Sequence, residues 1–108
     1  HRVDRRQRQM CIRDRLEVIP AAQQARWDGE PVALSPNEFR LLRYLLTRHG
    51  EIVSRQRMIA GMGKLEPPID ERTVDVWIGR LRRALRAAGA PDPIRTVRKA
   101  GYVLDLGD

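Results

Sequence analysis

The feature that most constrains the fold is a long amphipathic helix predicted over residues 71–88. If each residue turns by about 100°, four apolar side chains of this segment fall within an arc of about 60°. They are Val74, Ile78, Leu81 and Leu85. The opposite side collects Arg72, Val76, Gly79, Arg80, Arg83 and Arg86. Such a helix must bury one side in a core and leave a basic side exposed, so other elements have to cover the apolar arc.

Two shorter helices are predicted before it. Ser35 and Glu38 have the spacing of a capping box around a proline at the first helical position, which predicts a helix over 36–48. Ser54 is expected to cap a second helix. The segment 64–70 contains two consecutive prolines and is therefore predicted to be a loop.

Short strands are predicted on both sides of the helices. A strand over 16–19 is followed by a hairpin, in which Ala25–Trp27 and Pro31–Leu34 flank the turn Asp28-Gly29. A second hairpin is predicted over 94–106. The order is a small N-terminal antiparallel sheet, three helices and a C-terminal hairpin, which predicts an α+β fold, a winged helix-turn-helix.

Residues 1–15 are expected to lie outside this domain. They carry six arginines and two aspartates without any apolar period, as is typical of a disordered linker. The tract MCIRDR also resembles translated sequencing-adapter read-through, so a non-native tail is the other interpretation. The folded domain is therefore predicted to span residues 16–108.

Charge and composition narrow the function. The formal net charge is +7, and residues 71–99 hold eight basic and three acidic side chains, or +5, which favours a polyanion such as nucleic acid as partner. No apolar stretch is long enough for a membrane span, and the single Cys11 excludes a disulfide framework, so a cytoplasmic location is expected. His1 and His49 have no acidic or cysteine residues at metal-ligand spacing, so no metal site is expected. No other cofactor and no enzymatic activity are expected either.

Three stretches of the chain resemble one family. They are LSPNEFRLLRYLLTRHGEIVSR over 34–55, ERTVDVWIGRLRRAL over 71–85 and IRTVRKAGYVL over 94–104. Their order and spacing resemble the C-terminal effector domain of OmpR/PhoB-type response regulators. The resemblance implies a winged helix that binds promoter DNA for a transcriptional regulator of a two-component phosphorelay system, with the recognition helix 71–88 in the major groove and the wing 94–106 in the minor groove.

The resemblance also implies a set of ten DNA-contacting residues. Phosphates or neighbouring base edges are assigned to Arg72 and Thr73, base edges to Val76 and Arg80, phosphates to Arg82, Arg83, Thr96 and Tyr102, and the minor groove to Arg98 with Lys99 beside it. Single exposed apolar residues such as Val76 are also normal on protein surfaces. Tyr102 has the alternative role of filling the gap between wing and helix. Lys99 stands where many relatives have glycine.

Several partners follow from the resemblance. It implies double-stranded promoter DNA with direct repeats, a head-to-tail dimer on that DNA, an RNA polymerase contact through loop 64–70, and a receiver domain missing from this chain and expected before residue 16. Two alternatives stay open, a winged helix that docks proteins and the effector domain of an activator outside two-component systems. RNA binding is less favoured because only 5% of the residues are aromatic.

Overall fold

A four-stranded antiparallel sheet opens the domain. The computed structural model describes residues 10–12, 16–63 and 68–105. The strands are β1 (Met10–Ile12), β2 (Leu16–Ile19), β3 (Gln24–Trp27) and β4 (Glu30–Val32), in the order β1-β2-β3-β4. Asp28 and Gly29 both have positive φ, 53° and 87°, as a two-residue hairpin turn requires. The predicted hairpin is confirmed.

Strand β1 corrects the expectation for residues 1–15. Residues 10–12 pair antiparallel with β2, Met10 opposite Val18 and Ile12 opposite Leu16. A disordered linker is therefore wrong for these three residues. Backbone pairing with an edge strand needs no apolar period, which is why the sequence pattern did not reveal it. Residues 1–9 and 13–15 lie outside the described residues, and the adapter-like origin of the tail stays a prediction.

The first two helices begin at their predicted caps. Helix α1 (Pro36–Thr47) has a complete capping box, in which the Glu38 N–H donates to Ser35 Oγ and the Ser35 N–H donates to Glu38 Oε1. Helix α2 (Arg55–Gly61) is capped by Ser54, whose Oγ accepts the Arg57 N–H at 3.1 Å. These local hydrogen bonds satisfy backbone donors that have no partner inside the helix. Residues 64–67 of the predicted loop lie outside the described residues.

Helix α3 (Glu71–Ala87) buries its predicted apolar side. The side chains of Val74, Ile78, Leu81 and Leu85 are each at most 1% exposed. They belong to one core with apolar residues of α1, the N-terminal sheet and the last strand. The predicted division of this helix into a core side and an exposed side is confirmed. None of the helices formed by the described residues is long and apolar enough to cross a membrane.

The wing is a hairpin of β5 (Ile94–Val97) and β6 (Gly101–Leu104). Its base joins the helical part through an isolated antiparallel bridge between Val53 and Tyr102. A Cβ on Gly101 would lie 2.0 Å from the Val53 carbonyl oxygen, so only glycine allows this approach. The hairpin confirms the prediction over 94–104, while residue 106 lies outside the described residues. The bridge to Val53 was not predicted.

Two helical glycines are expected to respond oppositely to alanine. In Gly61→Ala the new Cβ would lie 2.1 Å from Cε1 of the Tyr44 ring, so the ring must leave its packed position, at a cost of about 1–3 kcal/mol. In Gly79→Ala no atom lies within 4 Å of the new Cβ, and the higher helix propensity should add about 1 kcal/mol to the free energy of unfolding. Urea unfolding with an unchanged m-value measures both. Two changes of the same sign would contradict the packing described for Tyr44.

Candidate nucleic-acid interface

The exposed side of α3 forms a basic stripe, which we call the recognition face. It consists of Arg72, Val76, Arg80 and Arg83. The spacings of four, four and three residues keep these side chains on one side of the helix. Val76 is 46% exposed, and its predicted position opposite the core is confirmed. The face therefore presents three guanidinium groups around one apolar side chain.

The side chains of the arginines of this face make no hydrogen bond or ion pair with the other described residues. Within residues 10–12, 16–63 and 68–105, the side-chain hydrogen bonds and ion pairs of arginines involve Arg26, Arg55, Arg82 and Arg95, and none involves the recognition face. A guanidinium carries five N–H donors in a planar fork that suits phosphate and guanine. The recognition face thus keeps its donors for an external ligand.

The tip of the wing adds two more cations. Arg98 and Lys99 are exposed and lie in the turn between β5 and β6, where the Ala100 N–H donates to the Val97 carbonyl at 2.9 Å. Lys99 has φ 66°, in the left-handed region that favours glycine. The turn therefore forms in spite of the lysine, and the charge of Lys99 stands next to that of Arg98.

Thr73 faces the start of its own helix. Its N–H and its hydroxyl both donate to Oδ1 of Asp70, each at 3.0 Å. Asp70 is the N-cap of α3, and these hydrogen bonds lower the pKa of its carboxyl group. A carboxylate therefore already occupies the end of the helix at which a phosphate would otherwise be favoured. A direct phosphate contact by the Thr73 hydroxyl does not fit this arrangement.

Arg82 lies against the wing. Its Nη2 donates to the carbonyl oxygen of Ile94 at 2.8 Å and to Oγ1 of Thr96 at 2.9 Å, and its Nε lies 3.6 Å from the carboxylate of Asp92. These bonds occupy both N–H groups of Nη2, so the structure favours a role of Arg82 inside the protein over the predicted phosphate contact. Thr96 accepts from Arg82 and is exposed, so its own hydroxyl hydrogen is available to a phosphate.

Tyr102 occupies the gap between the wing and α3. The side chain is only 5% exposed, and its hydroxyl donates to Oδ1 of Asp75 at 2.7 Å. A phosphate contact would require this hydrogen bond to break. The alternative role predicted for Tyr102, filling the gap, describes the observed position.

Comparison with known families identifies the domain. The model of a family described as "Transcriptional regulatory protein, C terminal" matches residues 29–104. The chain belongs to this family. It has the winged-helix fold of OmpR/PhoB-type effector domains, as the sequence predicted.

Curated relatives agree with this assignment. The phosphate regulon transcriptional regulatory protein PhoB of Rhizobium meliloti (strain 1021) is 50% identical over 74 residues, which are 68% of this chain and 33% of PhoB. The two-component response regulator PhoP of Pseudomonas aeruginosa is 39% identical over 80 residues, which are 74% of this chain and 36% of PhoP. The chain thus spans about a third of the length of these relatives.

Two solved structures share the fold. The RstA DNA-binding domain of Klebsiella pneumoniae, solved in complex with the RstA box, is 37% identical with a TM-score of 0.70, covering 85% of this chain and 92% of that one. The DNA-binding domain of CpxR from E. coli is 31% identical with a TM-score of 0.73, covering 90% of this chain and 95% of that one.

An ion pair in this effector domain joins α2 to α3. Arg55, the first residue of α2, donates from Nε to Oδ1 of Asp75 at 2.6 Å. Partial burial alone would raise the pKa of Asp75, but the hydrogen bonds from Arg55 and Tyr102 outweigh it and hold the pKa below its ordinary value. Burial, followed by the hydrogen bond to Asp75, raises the pKa of Tyr102. Asp75 is therefore the ionised acceptor and Tyr102 the protonated donor.

The sequence indicated only half of this contact. An acid such as Asp75 on a basic helix favours a surface pair with an arginine or an interaction with the helix dipole, and the structure shows the pair. Its partner Arg55, 20 residues earlier, was not identified, and neither was the link to Tyr102. The only available signal was an acid on a predominantly basic helix, which does not say which arginine it meets.

The contribution of Asp75 to stability is expected to depend on pH. Its folded-state pKa lies below the unfolded value of about 3.9, so the stabilisation is present above that pH and is lost as the pH falls through the folded-state pKa. Asp75→Asn should therefore lower the free energy of unfolding most near neutral pH, and the difference should shrink below about pH 4. Denaturant unfolding at a series of pH values tests this. A constant difference from pH 7 to pH 2 would count against the charge of Asp75 as the cause.

Proposed function

We propose that this chain is the promoter-binding domain of a transcriptional regulator of a two-component system, with α3 in the major groove and the wing in the minor groove. The observation that carries the proposal is the recognition face, whose arginines stay unpaired among the described residues while the other side of the same helix is fully buried. The B-DNA major groove admits one α-helix whose exposed side chains reach phosphates and base edges.

Seven of the ten predicted residues are proposed to contact DNA directly. Val76 and Arg80 lie one turn apart in the middle of the recognition face, where an apolar side chain can meet a thymine methyl group and an arginine can pair with guanine. Arg72 and Arg83 lie nearer the two ends of that face and suit phosphates. Arg98 suits a narrow minor groove, where negative potential is enhanced.

The remaining direct contacts concern phosphates beside the wing. Lys99 adds a charge next to Arg98 and suits a phosphate at the edge of the groove. Thr96 is exposed, and its hydroxyl oxygen accepts a hydrogen bond from Arg82 while its hydroxyl hydrogen stays free. This hydrogen can make a seventh contact, to a phosphate.

The role of the whole protein is also a proposal. PhoP of P. aeruginosa is a two-component response regulator, and R. meliloti PhoB is a transcriptional regulatory protein. By analogy we propose that this chain is part of a cytoplasmic regulator that also has a receiver domain. This regulator binds direct repeats as a head-to-tail dimer. A contact of loop 64–70 with RNA polymerase belongs to the same proposal, although residues 64–67 lie outside the described residues. A protein-docking role is less favoured because the exposed side of α3 is basic.

Arg80 and Arg83 are expected to have different roles on DNA. Arg80→Ala should remove a base contact worth about 1–3 kcal/mol and relax the preference at one base-pair position. Arg83→Ala should weaken binding to all sequences alike and make the salt slope shallower by about one unit. A competition assay over a randomised site library, with a salt titration for each variant, measures both.

A matched control for this pair is Arg43→Ala, because Arg43 is an exposed arginine of α1 and lies outside the recognition face. We expect its library profile to equal that of the wild type. If Arg80→Ala lowered affinity evenly with specificity intact, the base-reading part of the face would have to lie elsewhere, towards Thr73 and Trp77.

Binding to promoter DNA is expected to be strongly salt-dependent and to load two copies on one site. The logarithm of affinity should fall with the logarithm of salt concentration by about 0.9 per phosphate neutralised. Footprints should show two protected half-sites in direct orientation, spaced by about one helical turn. No binding at about 50 mM salt would refute the DNA partner, and an inverted repeat would refute only the head-to-tail arrangement.

A further inference from the structure

Three elements of the domain meet at one carboxylate. Oδ1 of Asp75 on α3 accepts from Nε of Arg55 on α2 at 2.6 Å and from the hydroxyl of Tyr102 on β6 at 2.7 Å. Asp75 and Tyr102 are 27 residues apart and Asp75 and Arg55 are 20 apart, so chain connectivity does not bring them together. Hydrogen bonds to an ionised acceptor are about twice as strong as those between neutral groups. This contact fixes β6 to the first half of α3.

A second contact fixes the other wing strand. Arg82 lies seven residues after Asp75, which is two helical turns and about 10 Å along the helix axis on the same side. Its Nη2 donates to the Ile94 carbonyl and to Thr96 Oγ1, both on β5. The wing is therefore attached to α3 at two separated points, one on each strand. Two such points restrict rotation of the hairpin against the helix, which a single contact would allow.

The Tyr102 ring links the two contacts. The guanidinium carbons of Arg55 and Arg82 each lie 5.7 Å from the centre of this ring, within the range of a cation–π interaction. The Tyr102 backbone also exchanges two hydrogen bonds with Val53, at 2.8 and 2.9 Å. Both the side chain and the backbone of Tyr102 thus hold the base of the wing. At the tip of the wing, the side chain of Arg98 makes no hydrogen bond or ion pair with another residue in the described part of the chain.

We propose that Asp75, Arg82 and Tyr102 form a wing clamp, a set of positioning residues that holds the Arg98 tip at a set distance and angle from the recognition face. The inference rests on the proposed function, since it assigns the clamp to the simultaneous reading of a major and a minor groove. A wing that is already oriented loses less conformational freedom on binding than a loose one. The clamp thereby adds to DNA affinity without touching DNA.

The test is a double-mutant cycle between the clamp and the wing tip. Tyr102→Phe removes the hydroxyl and keeps the ring in the core. On a site with A·T-rich flanks, Arg98→Ala should lower the affinity of the otherwise wild-type domain about tenfold. In the Tyr102→Phe background the same change should lower affinity only about two- to threefold, because the tip no longer reaches the groove in one orientation. Asp75→Asn should reduce the effect of Arg98→Ala in the same way.

Tyr44→Phe is the matched control, because it makes the same chemical change at a tyrosine that packs on Gly61 and Arg48 instead of on the wing. In that background the full effect of Arg98→Ala should remain. An effect of Arg98→Ala that is the same in the wild type and in Tyr102→Phe would overturn the clamp. A lower stability of Tyr102→Phe would reduce affinity equally with and without Arg98, so it would leave the effect of Arg98→Ala unchanged. The cycle therefore separates stability from positioning.

Hydrogen exchange in the free domain tests the clamp without DNA. Tyr102→Phe should speed the exchange of the Val53 and Tyr102 amides and of the wing amides, and leave the β2–β3 amides of the N-terminal sheet unchanged. Unchanged protection in the wing would overturn the clamp whatever the DNA data show. If Arg98→Ala had no effect even in the wild type, the minor-groove contact of the proposed function would fail, and the exchange data alone would decide the clamp.

Discussion

The burial of one side of α3 is the constraint on which the rest of the domain depends. Val74, Ile78, Leu81 and Leu85 are almost completely removed from solvent, and burying each such side chain contributes about 1.5–3 kcal/mol. A helix turned about its axis would lose these contacts and expose the apolar arc. The opposite side is therefore held towards solvent, and with it the recognition face. Core packing and ligand recognition are two consequences of one helix orientation.

The wing is attached by a different kind of interaction. Besides its apolar base at Ile94, Tyr102 and Leu104, the wing has hydrogen bonds to α3 through Asp75 and Arg82. Apolar burial is non-directional, whereas hydrogen bonds and ion pairs restrict distance and angle. The core thus sets where the wing lies, and the polar contacts set how it is turned.

Local signals in the sequence were sufficient for most of the fold. The capping box at Ser35, the Ser54 cap and the Asp28-Gly29 turn each depend on residues within a few positions, and all three are confirmed. Strand β1 and the bridge between Val53 and Tyr102 were not found. Both are backbone pairings with little side-chain periodicity, and the second joins residues 49 positions apart.

The sequence by itself determined which helix has a basic exposed side and which hairpin carries Arg98, because periodicity and turn residues act over short distances. Only the tertiary structure decided which polar side chains remain free. Arg82 and Arg83 are adjacent and chemically identical, yet Arg82 bonds to β5 and Arg83 is exposed. Tyr102 likewise meets Asp75 because the wing folds back on α3. Periodicity gives the direction of a side chain, but the presence of a partner there depends on where distant parts of the chain run.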